Sequence, residues 1–412
     1  MRMHDRWPHA VRALVTTALA AMLALGPASA YADESIGGLP VDGSSELSEA
    51  APRVQMPSGI LRTMDGRTLW ERDADTERAM ASTTKIMTAL VVLDHAEPSE
   101  RVTVSASAAG VGEAEVDLVA GQTLTVGELL EAMLVRSAND AAFALAEHVA
   151  GSVDGFVGLM NKKASELGLV HTSFANPHGL DAPNHYTTAA DLATLGTIAM
   201  ADPRFAEVVG KSDVMVPGAG GMKRYESSNK LLGSYEGATG IKTGWTGKAG
   251  YCLVASALRD DVGFVAVVLG TDSEDARFDD ARDLLDWGFQ HYSMVPVATA
   301  ETTAALVPVA DYLDRTVTAK VGDTAVVPVF DLDGDITSRV DMVPEVGAPV
   351  AAGQRLGTLS VVQGQRLLAQ VPIVAASAVP EPDTWEGVTI WFTRAWRSVF
   401  GGSMQATAVP LM

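Results

Sequence analysis

The sequence predicts an α+β protein: an antiparallel sheet with a helical layer, then a small all-β domain, then a C-terminal amphipathic helix. Three observations predict it. Hairpin signals stand at the start and end of residues 53–294, with helix-period segments between them. Short Val-, Leu- and Thr-rich runs follow from residue 295, and residues 385–400 gather aromatic side chains on one helical face.

Ahead of these elements, Arg2, Arg6 and Arg12 precede an apolar run over residues 13–25 and the small residues Ala28, Ser29, Ala30 and Ala32. This is the layout of a secretory signal peptide, so residues 1–32 are expected to be removed after Ala30 or Ala32. An uncleaved anchor is the alternative, but the run falls short of the roughly 20 residues that span a bilayer. Residues 33–52 are rich in Gly, Ser, Pro and acidic residues without an apolar period, which predicts a linker.

Within residues 53–294, two apolar-containing runs surround Asp65-Gly66, a pair that favours a type I′ hairpin. Ile86, Leu90 and Leu93, with Met87 and Val91 beside them, predict a helix over 82–95 that begins at Ser82. Thr125 and Glu128 form a capping-box signature before Leu129, Leu130, Met133 and Leu134, in a helix running towards Ser137. Further helices are predicted over 140–150, 153–167 and 188–200. The runs 251–258 and 262–269 flank Arg259, Asp260 and Asp261 as a second hairpin, and a helix over 275–292 closes the domain.

In the β-rich domain, residues 295–379, Leu359 and Val361 oppose Leu367, Ala369 and Val371 across Gln363-Gly364. Pro380, Glu381, Pro382 and Asp383 then interrupt the chain. In the helix that follows, Val388, Trp391, Phe392, Ala395, Trp396 and Val399 share one face and Thr389, Thr393, Arg394 and Arg397 the other, with Ile390 as the exception. Its Trp and Arg content predicts a helix lying in the membrane interface; packing on its own protein is the alternative.

With 412 residues, 47% of them hydrophobic, the chain can build two cores, which excludes a disordered protein. A net charge of −21 without a Lys/Arg-rich stretch excludes a nucleic-acid partner. Cys252 is the only cysteine, so no internal disulfide can form, and its strand-like surroundings predict a buried, inert thiol. No metal or cofactor is expected: His178 and His185, near Asp181 and Asp191, lack ligand spacing and are expected to be satisfied loop histidines.

The chemistry-bearing residues begin with Ser82-Thr83-Thr84-Lys85. A hydroxyl and an amine three residues apart share one helical face, so the amine can reach the hydroxyl. Serine needs a base beside it. A buried lysine near another cation loses its proton easily enough to serve, and a helix N-terminus favours negative charge developing on the serine. Alone, S-x-x-K is a weak motif. Ser137-Ala138-Asn139 after a helix and Lys242-Thr243-Gly244 before a hairpin strand supply two further elements where loops and strand edges line a cleft. Each has a plain structural explanation: first-turn residues for Thr83 and Thr84, a local turn for Ser137 and Asn139, a solvated strand end for Lys242. All three motifs in this order argue against that explanation.

Together these are the S-x-x-K, S-x-N and K-T-G elements of penicillin-binding proteins and class A β-lactamases. The chain after the leader resembles the D-alanyl-D-alanine carboxypeptidases, the low-molecular-mass penicillin-binding proteins, in ASTTKIMTAL (81–90), VRSANDAA (135–142), NPHGL (176–180), HYTTAAD (185–191) and GIKTGWTGKAGYCL (240–253). The resemblance implies a β-lactamase/transpeptidase-like catalytic domain with Ser82 as nucleophile, Lys85 as its base and Ser137 as proton relay. It further implies that Asn139 bonds the substrate backbone, Lys242 supplies positive charge beside the relay, and Thr243 binds the terminal carboxylate. Gly244 would let the substrate lie along the strand, and the backbone N–H groups of Ser82 and Trp245 would form the oxyanion hole.

The implied function is an exported serine D,D-carboxypeptidase that trims the terminal D-alanine from peptidoglycan stem peptides and is acylated by β-lactams. Membrane lipids would be its partners through the terminal helix, at the outer face of the bacterial membrane. A D,D-endopeptidase is the alternative. A β-lactamase is less favoured, because no E-x-x-L-N stretch lies between Asn139 and Lys242; so is an inactive wall-binding protein.

Overall fold

The computed structural model describes residues 51–218, 221–401 and 409–410. The expected signal peptide, and all but the last two residues of the expected linker, lie outside the described residues. The chain opens with β1 (Ser58–Thr63) and β2 (Thr68–Arg72). A 3-10 turn over Ala81–Thr84 then leads into α1 (Lys85–His95). A small hairpin of β3 (Arg101–Thr103) and β4 (Thr123–Thr125) precedes α2 (Val126–Val135), α3 (Asn139–Ala150), α4 (Val153–Glu166), α5 (Ala189–Met200) and α6 (Pro203–Val209). A second hairpin, β5 (Asp213–Gly218) and β6 (Gly221–Glu226), is followed by β7 (Ala238–Thr246), β8 (Gly250–Arg259), β9 (Val262–Thr271) and α7 (Glu274–His291).

The main sheet has five strands in the order β2-β1-β9-β8-β7, each antiparallel to its neighbour. Its strands alternate between two cores. Ile60, Val254, Val265 and Val267 face a core shared with α1 to α5, while Leu61, Leu253, Phe264 and Val268 face one shared with Phe278, Ala281, Leu284 and Leu285 of α7. Burial on both faces explains why β8 and β9 read as continuous apolar runs instead of alternating ones. The helices therefore form two layers, one on each face, where the sequence pointed to one.

Two turns behave differently from their sequence signals. Asp65-Gly66 was expected to make a two-residue type I′ turn, but only Gly66 has positive φ, β1 carries a bulge at Leu61/Arg62, and the connection takes four residues. The type I′ geometry appears instead between β8 and β9, where both Asp260 and Asp261 have positive φ. The predicted capping box is present: the Thr125 side chain accepts from the Glu128 N–H, and the Glu128 carboxylate from the Thr125 N–H. α6, β3–β4 and β5–β6 carry no signal in the sequence, being short elements whose patterns span too few residues to register a period.

After α7 come β10 (Tyr292–Ala298), β11 (Thr303–Pro308), β12 (Thr316–Val321), β13 (Ala325–Phe330), β14 (Ile336–Met342), β15 (Arg355–Gln363) and β16 (Arg366–Ala375). They are followed by α8 (Thr384–Phe400) and a terminal β17 (Val409–Pro410). One sheet runs β14-β15-β16-β12-β11-β17, and β10 pairs with β13. Val307, Val317, Val321, Leu356, Leu359, Val361 and Ile373 build the third core. The two parts meet at Phe330, which packs on Trp287 and Tyr292, at the His291 Nδ1 to Asp331 contact of 2.9 Å, and at the Arg67–Asp333 ion pair.

Ile390, the residue that broke the apolar pattern of α8, packs against the β-rich core. The same stripe carries Arg394, which donates to the Ala310 carbonyl, and Arg397, 3.8 Å from Asp314. The polar side of α8 is thus its docking side, and the aromatic face is exposed. Among the described residues, no helix is long and apolar enough to cross a membrane.

Candidate active site

The turn that carries Ser82 is held by its own hydroxyls. Thr83 Oγ1 donates to the Met80 carbonyl at 2.6 Å and Thr84 Oγ1 to the Ala81 carbonyl at 2.8 Å. Ala81 takes a positive φ, a strained conformation for a residue with a Cβ. Two glycines press on this turn. A Cβ at Gly179 would lie 2.0 Å from the Ala81 oxygen, and one at Gly244 would lie 2.9 Å from the Ser82 nitrogen. Only residues without side chains let the 176–180 loop and β7 close on the serine from both sides.

Lys85, one turn on, is completely buried, and its Nζ lies 2.8 Å from Ser82 Oγ, 2.8 Å from Asn139 Oδ1 and 2.5 Å from the His178 carbonyl oxygen. The last two partners can only accept. A neutral amine has two hydrogens for them and one lone pair left, and that lone pair faces the serine hydroxyl. Burial drives the Lys85 pKa well below the ordinary lysine value, helped by the positive charge of Lys242 and opposed by Asp140.

Ser137 lies between α2 and α3 at positive φ, nine-tenths buried, and among the described residues its hydroxyl has no hydrogen-bond partner. Asn139 is already engaged. Besides its contact with Lys85, its Nδ2 donates to the Gly112 carbonyl at 3.0 Å, leaving one amide hydrogen for a substrate. On β7, Lys242 is 1% exposed, and its Nζ donates to the Thr243 carbonyl at 3.0 Å. Burial at this depth removes the alternative of a solvated strand end. Burial, with Arg277 and Arg136 nearby, lowers its pKa to about 7. Thr243 Oγ1 shares a 2.6 Å hydrogen bond with Ser228, and Trp245, 54% exposed, leans on Tyr251.

The histidines are satisfied loop residues, as expected. The Ala175 N–H donates to His185 Nδ1, so the ring hydrogen sits on Nε2, which contacts Thr84 Oγ1 at 2.8 Å. Burial keeps this ring neutral by lowering its pKa to about 4. The 176–180 loop does more than lie beneath the cleft, because the His178 carbonyl holds Lys85; a backbone acceptor leaves no trace in side-chain identity. Two further residues escaped the sequence. Arg277, 4% exposed at the start of α7, donates to the Gly244 carbonyl at 3.1 Å. Asp140 accepts from the Val116 and Leu118 N–H groups, fastening the 112–118 loop to α3. Asp140 stood as a charged residue at the start of a largely apolar helix, whereas Arg277 was hidden among the many charged residues of α7. Cys252 is fully buried, and its pKa is raised to about 11, chiefly by burial.

Fold and cleft together define a serine peptidase of the penicillin-binding class. The comparisons with known proteins narrow that class. Residues 47–273 match the family model described as D-alanyl-D-alanine carboxypeptidase, and residues 292–381 match the penicillin-binding protein 5 C-terminal domain. The chain is 32% identical over 377 residues to the D-alanyl-D-alanine carboxypeptidase DacF of Bacillus subtilis, covering 88% of this chain and 93% of that one. It is also 32% identical to DacC of Escherichia coli, covering 87% and 93%. Among solved structures, penicillin binding protein 6B from Escherichia coli superposes with a TM-score of 0.62 at 28% identity, covering 80% of this chain and 98% of that one. DacD from Francisella tularensis gives 0.61 at 25%, covering 84% and 99%. The chain belongs to the D-alanyl-D-alanine carboxypeptidase family.

Proposed function

We propose that the protein removes the terminal D-alanine from peptidoglycan stem pentapeptides through an acyl-enzyme on Ser82, with Lys85 as general base. The contact that supports this most directly is Lys85 Nζ to Ser82 Oγ at 2.8 Å, made by a buried amine whose other two partners only accept. In this mechanism Ser82 Oγ attacks the carbonyl carbon of the penultimate D-alanine as its proton passes to Lys85 Nζ. The oxyanion is met by the N–H groups of Ser82 and Trp245. The intermediate collapses by breaking the C–N bond, and the leaving amine takes a proton through Ser137. Lys85, neutral again once its proton has passed through Ser137, takes a proton from water as the water attacks the ester; the bond to Ser82 Oγ breaks and Lys85 returns the proton to that oxygen. Lys242 supplies positive charge beside the relay, Thr243 binds the substrate carboxylate, Gly244 lets the peptide lie along β7, and Asn139 both positions Lys85 and bonds the substrate backbone with its remaining amide hydrogen.

The same proposal covers the organisation of the chain: signal peptide 1–32, linker 33–52, catalytic domain 53–294, β-rich domain 295–379 and anchor helix 385–400. The boundary at 294/295 falls inside β10, whose Tyr292 belongs to the core around α7. The exported protein would work at the outer face of the membrane, held there peripherally by the aromatic face of α8. That face is supported by the exposure of Trp385, Trp391, Phe392 and Trp396.

Labelled penicillin tests the nucleophile. Wild type should retain the label as a stable ester and Ser82→Ala none; a folded wild type that never labels removes the proposal. Incubation with a pentapeptide and with a cross-linked dimer tests the reaction. Free D-alanine should appear from the first only, and cleavage of the dimer would make the protein a D,D-endopeptidase.

A further inference from the structure

We propose that the aromatic face of α8 recognises the uncharged interfacial zone of a phospholipid bilayer, so that attachment does not depend on anionic headgroups. This rests on the anchor assignment made above and concerns what holds the anchor. An amphipathic helix drawn to anionic lipid turns its Arg and Lys side chains outward. In α8 both arginines turn inward. Arg394 donates to the carbonyls of Ala310 and Tyr312, Arg397 faces Asp314, and Ile390 packs beside them on the β-rich core. These residues form one helical stripe, spaced four and three apart.

The opposite stripe presents Trp385, Trp391, Phe392, Trp396, Val399 and Phe400, each at least 64% exposed. Indole rings suit the headgroup boundary, where an apolar ring meets a wet edge. At its 17 residues the helix is about 25 Å long and lies flat more readily than it crosses. The charges flanking its start are Glu381, Asp383 and Glu386, and the whole chain carries −21. An anionic surface therefore finds no unclaimed cation on α8, and it repels the rest of the molecule.

The test is co-sedimentation of the protein, purified from the envelope fraction, with vesicles of phosphatidylcholine alone or mixed with phosphatidylglycerol, at low and high salt. Binding to the two compositions should agree within about twofold or favour the neutral vesicles, and salt should not release the protein. Trp391→Glu with Trp396→Glu should abolish binding, while Arg394→Gln with Arg397→Gln should leave it unchanged. Two arginines directed at an anionic leaflet would strengthen binding on the order of thirtyfold. A preference of that size, lost with salt or in the double Gln variant, overturns the inference and leaves the anchor standing. Absence of binding to either vesicle removes the anchor and this inference with it. A dimer in lipid-free sedimentation that the double Glu variant dissolves makes a second copy the occupant and overturns the inference too.

Discussion

The catalytic part and the β-rich part of this protein fold by different rules. Around the main sheet, Lys85, Asp140, Lys242 and Arg277 are all buried to 4% exposure or less. Among the described residues after Tyr292, the buried side chains with polar atoms are Gln363 and Tyr312, and no charged side chain is fully buried. Burying an ionisable group opposes folding unless its charge is lost or matched. The catalytic part tolerates four of them: Lys85 and Lys242, which carry the roles proposed above, and Arg277 and Asp140, which bind the backbone of β7 and of the 112–118 loop. The β-rich part combines an apolar core with ion pairs at or near the surface and keeps no charge fully buried.

The sharpest way to break that contrast is Lys85→Arg. Arginine keeps the charge and much of the length but cannot give up its proton at any working pH. Turnover on pentapeptide should fall on the order of 10²- to 10⁴-fold, the usual contribution of a general base. Normal turnover would mean that the buried amine is structural. In wild type, kcat/KM should rise with pH as Lys85 loses its proton, then fall above about 7 as Lys242 loses the charge that attracts the substrate carboxylate. In kcat the falling limb should move to higher pH, because a bound carboxylate holds that proton on.

Lys242→Met is a smaller effect with an opposite sign for stability. The folded pKa of Lys242 is depressed to about 7, so between there and the ordinary lysine range the unfolded chain binds a proton that the folded one does not. Wild-type stability from this group therefore rises with pH across that window and is lowest below it. Removing the amine should stabilise the fold by roughly 1–3 kcal/mol near pH 7 in thermal unfolding. It should also raise KM and erase the alkaline limb of kcat/KM. A destabilised variant would mean that the burial is fully compensated and the contrast between the two parts is false.

The smallest effect belongs to the junction. Asp333→Asn removes the partner of Arg67, which also lies over the Phe330 ring at 5.2 Å. A partly exposed ion pair of this kind contributes about 1 kcal/mol or less, so unfolding should shift little and turnover not at all. A loss of several kcal/mol would show that the β-rich part depends on charge after all.

Much of this was legible before any coordinates. The long helices announced themselves by period and by the Thr125 and Glu128 cap, and the approach of Lys85 to Ser82 by their spacing on one helical face. What stayed hidden has a common physical cause. The His178 carbonyl and the strained turns at Ala81 and Ser137 belong to the backbone, which carries no side-chain signature. Arg277 and Asp140 sit within helices, where a single charged residue looks like any solvated one. Ile390 spoiled an amphipathic pattern because α8 has two partners to satisfy, and a single-face template can describe only one.

The pinch made by Gly179 and Gly244 around Ser82 has a consequence for anyone who would reshape this enzyme. Each of those positions is blocked by main-chain atoms, which cannot swing aside as a side chain would. Saturation libraries at either site should return glycine alone. New substrate scope will have to be sought at the rim, where Trp245 stands open to solvent.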